Sequence, residues 1–342
     1  MTTGQRLALR SIDDYLGPGE TRFFSRGYQR ATYDVHDIVV TPAGSEKPGV
    51  LAKANLTYPA DWSKKKDGTD LRPHLSTIDA LVLGVQLAEL HLVHAYGLDG
   101  QDRRTMRLRK IVLRAGNAPQ EDLEGIALSA KLVDTAPEPA AAGGFQSVYD
   151  CSVGGLRVRC EIEHRVAGKA GTEARFGSLV EALGPGEERF YGEGFKLRRH
   201  TIGDVRVDMD DLTARGQVAF HEVEGSRAPT RGIEGEGQPS IALVDCFVVN
   251  LQLAQVLMYE LDSITRESSN TLWMMQTVMD AAEIRQPLTA PLEAHASISA
   301  KRLLPLRGAT WRSVDIQGRL GGIEMRCSFA HELPAKAEPE AA

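Results

Sequence analysis

The sequence predicts an α+β protein made of two copies of one folding unit, each an antiparallel sheet wrapped around a single long apolar helix. Three observations predict it: sequence blocks that recur at one offset, one long apolar stretch in each copy, and short strand-like segments on both sides of that stretch. The recurring blocks come first, because a missed repeat misassigns every later element. Ser11, Leu16-Gly17-Pro18-Gly19-Glu20, Arg22-Phe23-Phe24 and Gly27-Tyr28 return as Ser178, Leu183-Gly184-Pro185-Gly186-Glu187, Arg189-Phe190-Tyr191 and Gly194-Phe195, an offset of 167. Ile78-Asp79, Val82 and Gln86-Leu87-Ala88-Glu89 return as Val244-Asp245, Val248 and Gln252-Leu253-Ala254-Gln255, an offset of 166. Gly154-Gly155-Leu156, Arg159-Cys160 and His164 return as Gly321-Gly322-Ile323, Arg326-Cys327 and His331, again at 167. Collinear blocks at a constant offset mean duplication. The expected layout is a first repeat over 11–167, a small-residue linker over 168–177, a second repeat over 178–333 and a disordered tail over 334–342.

Within the first repeat, residues 22–40 mix aromatic and β-branched side chains with polar ones and suit one or two strands, and 50–58 suits another. Residues 74–96 are apolar almost all round and end at Gly97, the pattern of a buried helix. Further strands are expected over 106–113, 125–133, 146–151 and 156–166. In the second repeat the same reading places strands at 189–207 and 217–223, a helix at 241–264, and strands near 272–279, 294–303, 311–316 and 323–329. Strands around one central apolar helix are the hot-dog arrangement. A single sheet with one helix cannot cover its own edges, so the two copies are expected to pair as a pseudo-dimer within one chain, which also allows a homodimer.

The 342 residues, 42% of them apolar and 25% charged, have globular composition. A formal net charge of −6 gives no basic footprint for nucleic acid. The run Lys64-Lys65-Lys66 reads as a solvated loop. No segment reads as a signal peptide or membrane span, so the expected location is the cytoplasm. Cys151, Cys160, Cys246 and Cys327 form no CxxC pattern and read as reduced thiols, with no disulfide framework, metal or cofactor indicated.

Chemistry is expected where polar residues interrupt the apolar helices. Asp79 and Gln86 lie two turns apart on one helix face, and Asp245 and Gln252 repeat them. A carboxylate in apolar surroundings costs several kcal/mol unless paired, which makes both aspartates candidates for catalysis. Ser76 to Asp79 also reads as a capping box, a structural role. Position 242, which matches Ser76, is alanine, so capping accounts less well for Asp245. His74 stands at the first helix entrance where the second copy has Ser240, and it could set the protonation of an aspartate across the interface. Gln86 and Gln252 could equally bond the backbone of the neighbouring sheet. His91 and His94 lack a third metal ligand, and His164 and His331 read as packing residues. Arg22 and Arg189 could grip a phosphate or carboxylate, or pair with Glu20 and Glu187. Gly192 to Gly194 and Gly232 to Gly237 read as turns, not phosphate loops.

The opening Ser11-Ile12-Asp13-Asp14-Tyr15-Leu16-Gly17-Pro18, with Arg22-Phe23-Phe24, Gly27-Tyr28 and Val35-His36-Asp37-Ile38, resembles the avirulence protein D family of plant-associated bacteria. That resemblance implies synthesis of syringolide-type lipid elicitors, by joining a β-ketoacyl thioester to the ketose xylulose through a butenolide intermediate. The tandem plan is more distantly similar to the A-factor synthase family, which condenses β-ketoacyl groups with dihydroxyacetone phosphate. Pro73-x-x-x-x-Ile78-Asp79-Ala80 and Pro239-x-x-x-x-Val244-Asp245 also resemble a segment of polyketide dehydratases, at a spacing one residue longer and without their separate histidine motif.

Three functions follow. The first is a condensing acyltransferase that takes its acyl group from an acyl carrier protein or coenzyme A thioester and gives it to a small sugar, with Asp245 or Asp79 as base. The second is a thioesterase or dehydratase of the same fold. The third is a non-catalytic lipid-binding or sensing module. The reading centres on one composite site at the interface, with Asp245 as the base.

Overall fold

A computed structural model describes residues 6–62, 72–138, 144–165, 171–269, 272–281, 287–288, 290–306 and 308–334. The lysine run, residues 168–170 of the expected linker and residues 335–342 of the tail lie outside them. The first half forms β1 (Arg6–Ser11), α1 (Asp13–Leu16), β2 (Thr32–Thr41), β3 (Gly49–Thr57), α2 (Thr77–Tyr96), α3 (Gly100–Thr105), β4 (Arg107–Arg114), β5 (Ile126–Glu138), β6 (Gly144–Val153) and β7 (Leu156–Arg165). The second half forms β8 (Ala174–Phe176), α4 (Leu179–Leu183), β9 (Arg198–Asp208), β10 (Thr213–Glu222), α5 (Leu243–Asp262), β11 (Trp273–Ala281), β12 (Leu292–Leu306), β13 (Ala309–Leu320) and β14 (Ile323–Glu332). The protein is a tandem hot-dog.

All strands join one sheet in the order β1-β9-β10-β12-β13-β14-β11-β4-β7-β6-β5-β3-β2-β8. Read from its centre outward, this order places each strand opposite its duplicate. At the centre β11 and β4 pair antiparallel, and Val112 faces Val278, its own counterpart at an offset of 166, so the pseudo-two-fold axis passes beside that pair. The local irregularities are duplicated too. Asp37 (φ 53°) and Asp204 (φ 48°) hold the same left-handed position in β2 and β9.

The terminal strands trade places. β1 pairs with β9 of the second half, and β8 pairs with β2 of the first. The expected linker therefore contains a strand, and the first element begins before residue 11. A three-residue strand carries too little alternation to be seen in sequence, and the strand at 6–11 shows its role only once its partner two hundred residues away is known. Behind these strands a second exchange ties the halves together. The Gln29 side-chain amide donates to the Arg198 carbonyl at 2.7 Å, and its counterpart Lys196 donates to the carbonyl of Ala31, the counterpart of Arg198, also at 2.7 Å.

Residues 22–31 and 189–197 were expected to begin strands; they form tight turns instead. Amides of Ser25, Arg26 and Gly27 all donate to the Arg22 carbonyl, which curls the chain before β2 starts. A Cβ at Gly27 would lie 2.6 Å from the Trp62 carbonyl, so the turn closes only with glycine there.

Each long helix is enclosed by its own half of the sheet, which is why its sequence is apolar on every side. Both are long and apolar enough to cross a membrane by composition, and both are buried inside the sheet. Ser76 caps α2 by accepting the Asp79 amide at 3.2 Å, and Gly97 ends it in a left-handed conformation (φ 61°). The four cysteines are free and buried.

Candidate functional site

The two helix entrances start from the same sequence pattern and are built differently. At the α2 entrance the Asp79 carboxylate is fully buried. It accepts from the Ser76 amide at 2.9 Å, from the Tyr33 hydroxyl at 2.8 Å and from the Tyr58 hydroxyl. The capping box is complete, and burial outweighs these bonds in pushing the carboxyl upward. Trp62 packs on Tyr58 and Phe23, and His74 stands edge-on to Trp62 at 5.6 Å. Aromatic side chains close this entrance, and His74 belongs to the plug.

At the α5 entrance, Asp245 accepts from the Ala242 amide at 2.8 Å, which is the half of a capping box that needs no side chain at the first position. Capping thus describes Asp245 better than the alanine suggested. The other partner of Asp245 is the guanidinium of Arg198, in a buried ion pair. Arg198 also donates to the Ser240 carbonyl at 2.8 Å and the Gln238 side-chain oxygen at 3.2 Å, and lies over the Phe190 ring at 4.5 Å. Burial raises the Asp245 carboxyl and Arg198 opposes the rise, with the net shift upward. Arg198 Nε, Gln238 Nε2 and Ser240 Oγ are buried with no hydrogen-bond partner among the described residues. Gln238 Nε2 and Ser240 Oγ thus lie unpartnered on the two residues that accept from the Arg198 guanidinium, whose own Nε is also unpartnered.

That guanidinium reaches a cleft of about 190 Å³ whose walls include Phe190, Leu197, Phe220, Pro229, Pro239 and Leu288, with His221, Glu222 and Arg227 at the exposed rim. Arg198 and Gln238 line it; Asp245 does not, because Arg198 stands in front of it. The expected composite site is not what lines this cleft: its lining residues come from the second half, and the first half stands behind it, with Gln29 on the Arg198 carbonyl and Tyr28 stacked on Phe195.

The remaining candidates meet at the seam between halves. Arg22 donates to Gln252 at 2.7 Å and pairs with Asp13. Arg189 donates to Gln86 at 3.3 Å and lies 3.7 Å from Glu89. Each arginine thus clasps the glutamine on the helix of the other half. Their ion-pair partners are Asp13 and Glu89, not Glu20 and Glu187. Burial pushes Arg22 down to about 10, against the pull of Asp13. The Gln252 side-chain amide donates to His200 at 2.8 Å. Burial, then the charges of Arg26, Arg22 and Arg198, push His200 down to about 3, so its ring is neutral at physiological pH. The matched histidines differ as well: His164 bonds Ser147 at 2.7 Å, whereas His331 meets Asp262 at 3.1 Å. His91 bonds Tyr149 and the Thr41 carbonyl, and His94 the Ala182 carbonyl.

Arg198, Gln238 and His200 were not singled out from the sequence. The signal that could have found them is mismatch between repeats: at the offset of 167, Arg198 and His200 replace Ala31 and Tyr33.

The profile of the family described as Pseudomonas avirulence D protein (AvrD) matches residues 7–334. The chain belongs to the AvrD family. No curated protein sequence matches it. Among solved structures, it is similar to a conserved hypothetical protein of Mycobacterium tuberculosis with a double hot-dog fold, at 10% identity and a TM-score of 0.40, covering 97% of each chain. It is also similar to the dehydratase domain of the polyketide PpsC from the same organism, at 11% identity and 0.36, covering 88% of this chain and 98% of that one. A third likeness is to the 12:0-ACP thioesterase of Umbellularia californica, at 9% identity and 0.37, covering 75% and 87%. The fold assignment itself rests on the strand order of this chain.

Proposed function

We propose that this AvrD-family protein is a hot-dog enzyme that condenses a β-ketoacyl thioester, carried by coenzyme A or an acyl carrier protein, with a ketose such as xylulose, giving a butenolide of the syringolide type. The observation that carries the reading is the apolar cleft ending on a buried, multiply anchored guanidinium with unpartnered donors beside it. An acyl chain fits the walls, and the two carbonyls of a β-ketoacyl group fit the floor. Removing the α-proton between those carbonyls leaves an enolate whose charge sits on both oxygens, and fixed Arg198 N–H donors favour that charge over the neutral ground state. Asp245 holds Arg198 in place and acts as a positioning residue. His221 and Glu222, at the rim, are the titratable groups placed to take a proton from substrate. The sugar hydroxyl attacks the thioester carbon, the C–S bond breaks and the thiol leaves with a proton. The α-carbon then attacks the sugar carbonyl, which closes the lactone ring, and loss of the resulting hydroxyl with the remaining α-proton as water forms the ring double bond.

Incubating the full chain with a series of β-ketoacyl thioesters and xylulose, with products followed by mass spectrometry and thiol release, tests this. An acylated or cyclised sugar supports it. Release of free β-keto acid regardless of sugar makes the protein a thioesterase, loss of water from a β-hydroxyacyl thioester to an enoyl product without thiol release makes it a dehydratase, and tight lipid binding without turnover makes it a binding module.

A further inference from the structure

The outer face of the second half carries a row of side chains that the first half lacks. Strand register puts Arg206 opposite Arg215, Arg215 opposite His295, and His295 opposite Arg319, on four adjacent strands. The same row in the first half reads Val39, Leu51, Ser129 and Ser152. Like charges directly opposite one another on a sheet are unfavourable. On the next strand the row ends at Glu324, opposite Arg319, where the first half has Arg157 opposite Ser152; among the described residues, neither Arg206, Arg215 nor Arg319 has a carboxylate within ion-pair distance of its guanidinium. Burial and the charges of Arg215 and Arg319 together hold His295 below its usual range. Arg215, His295 and Arg319 line a groove of about 570 Å³, joined by Arg326, with Glu293 and Glu324 also in its wall. Over the four strands from β9 to β13 the second half thus carries three arginines where the first half carries none, and two of them line a concavity.

We propose that this groove binds the phosphate groups of a nucleotide-type handle on a soluble acyl thioester, of the coenzyme A class. Basic groups one strand apart, at about 4.8 Å, match phosphate oxygens that each accept from more than one donor. The groove also leads to the candidate site along one strand. Arg215 and His221 share the outer face of β10, and His221 lines the rim of the cleft. Six residues of strand separate them, about 20 Å at ~3.3 Å per residue, a separation that calls for a long flexible arm between phosphate and thioester. The choice of a thioester handle rests on the proposed function; the phosphate site does not.

The test uses the full chain and adenosine 3′,5′-bisphosphate as the probe, titrated calorimetrically at low ionic strength. Saturable one-to-one binding is expected, weakened at least tenfold in an Arg215→Gln, Arg319→Ser double variant and unchanged in Arg157→Ser, the control on the first-half row. Absence of saturable binding, or equal binding by the double variant, would overturn the site. The double variant is expected to melt no lower than the parent, since it removes like-charge neighbours; a lower melting temperature contradicts that reading of the row. In kinetics, the variant is expected to raise KM at least tenfold for the coenzyme A thioester, with kcat unchanged, and to leave KM for the phosphate-free pantetheine thioester unaltered. Equal KM changes for both substrates, or a change only with a phosphorylated ketose, would overturn the handle assignment. Bisphosphate binding without turnover of any thioester would leave the phosphate site standing and remove the proposed reaction.

Discussion

The α2 and α5 entrances descend from one ancestral sequence and show how a few substitutions change what a buried carboxylate holds. Asp79 is satisfied by two tyrosine hydroxyls and an amide behind an aromatic plug. At the α5 entrance Ala31 is replaced by Arg198, and the carboxylate becomes the anchor of a cation that faces a cleft. A buried carboxylate therefore points to function only through what it holds, and the group it holds can be the one that meets substrate.

Arg198→Met is the sharpest way to break this contrast. It is expected to lower turnover by about 10²–10³, as for loss of one transition-state donor, and to destabilise by about 3–5 kcal/mol because Asp245 is left buried without its cation. Saturating kinetics and urea unfolding separate the two effects, and normal turnover in a folded variant would end the assignment. Asp245→Asn measures the positioning role: a loss of about 10–100-fold is the scale for an outer-shell partner, whereas about 10²–10⁴ would restore it as the general base. Asp79→Asn should leave kcat unchanged and cost about 1–3 kcal/mol through weakened buried hydrogen bonds. A large kcat loss there would reverse the roles of the halves.

A gentler comparison concerns the far ends of the helices. Burial raises the Asp262 carboxyl, but bonds to His331 and Arg312 outweigh it and the net position is below the usual carboxylate range. Its folded value lies under its unfolded one, so the stability it contributes is present above about pH 4 and is lost as pH falls through the folded value. The first half has Tyr96 in that place. Asp262→Asn should flatten the acid limb of the stability profile, and an unchanged limb would assign acid sensitivity elsewhere. Smallest of all, Tyr58→Phe removes one of three donors to Asp79 and should cost about 0.5–1.5 kcal/mol, with no effect on KM.

Much of the architecture was legible because it follows from local pattern repeated twice. Collinear blocks gave the duplication and hence the palindromic sheet, all-round apolar stretches gave the two core helices, and Ser76 with Asp79 gave a cap. What stayed hidden depends on distant partners. Nothing near β1 says that it will lie beside β9, and nothing near Arg198 marks it off from any arginine in an alternating strand. The glutamines on the helices were recognised as polar exceptions, but the arginines that clasp them come from the opposite half, a relation no helical spacing encodes. Asp245 was found for its burial, but sequence shows an acid among apolar residues and not the cation in front of it.

The exchange of β1 and β8 also gives the molecule a clock. During synthesis the first half can complete its edge as soon as residue 176 has emerged, because β8 follows it directly. β1 is made first but cannot dock until β9 exists, since its register ties Arg6 to Asp208 and the Ile12 amide to the Ile202 carbonyl. At ~5–20 residues per second, roughly 10–40 s pass between the synthesis of β1 and that of β9. Over that interval the earlier of the two partner strands waits with its backbone unpaired, alternating Leu7 and Leu9 with Arg6, Ala8 and Arg10. Charge at both ends of so short a strand keeps it from pairing with another nascent chain before its own partner arrives.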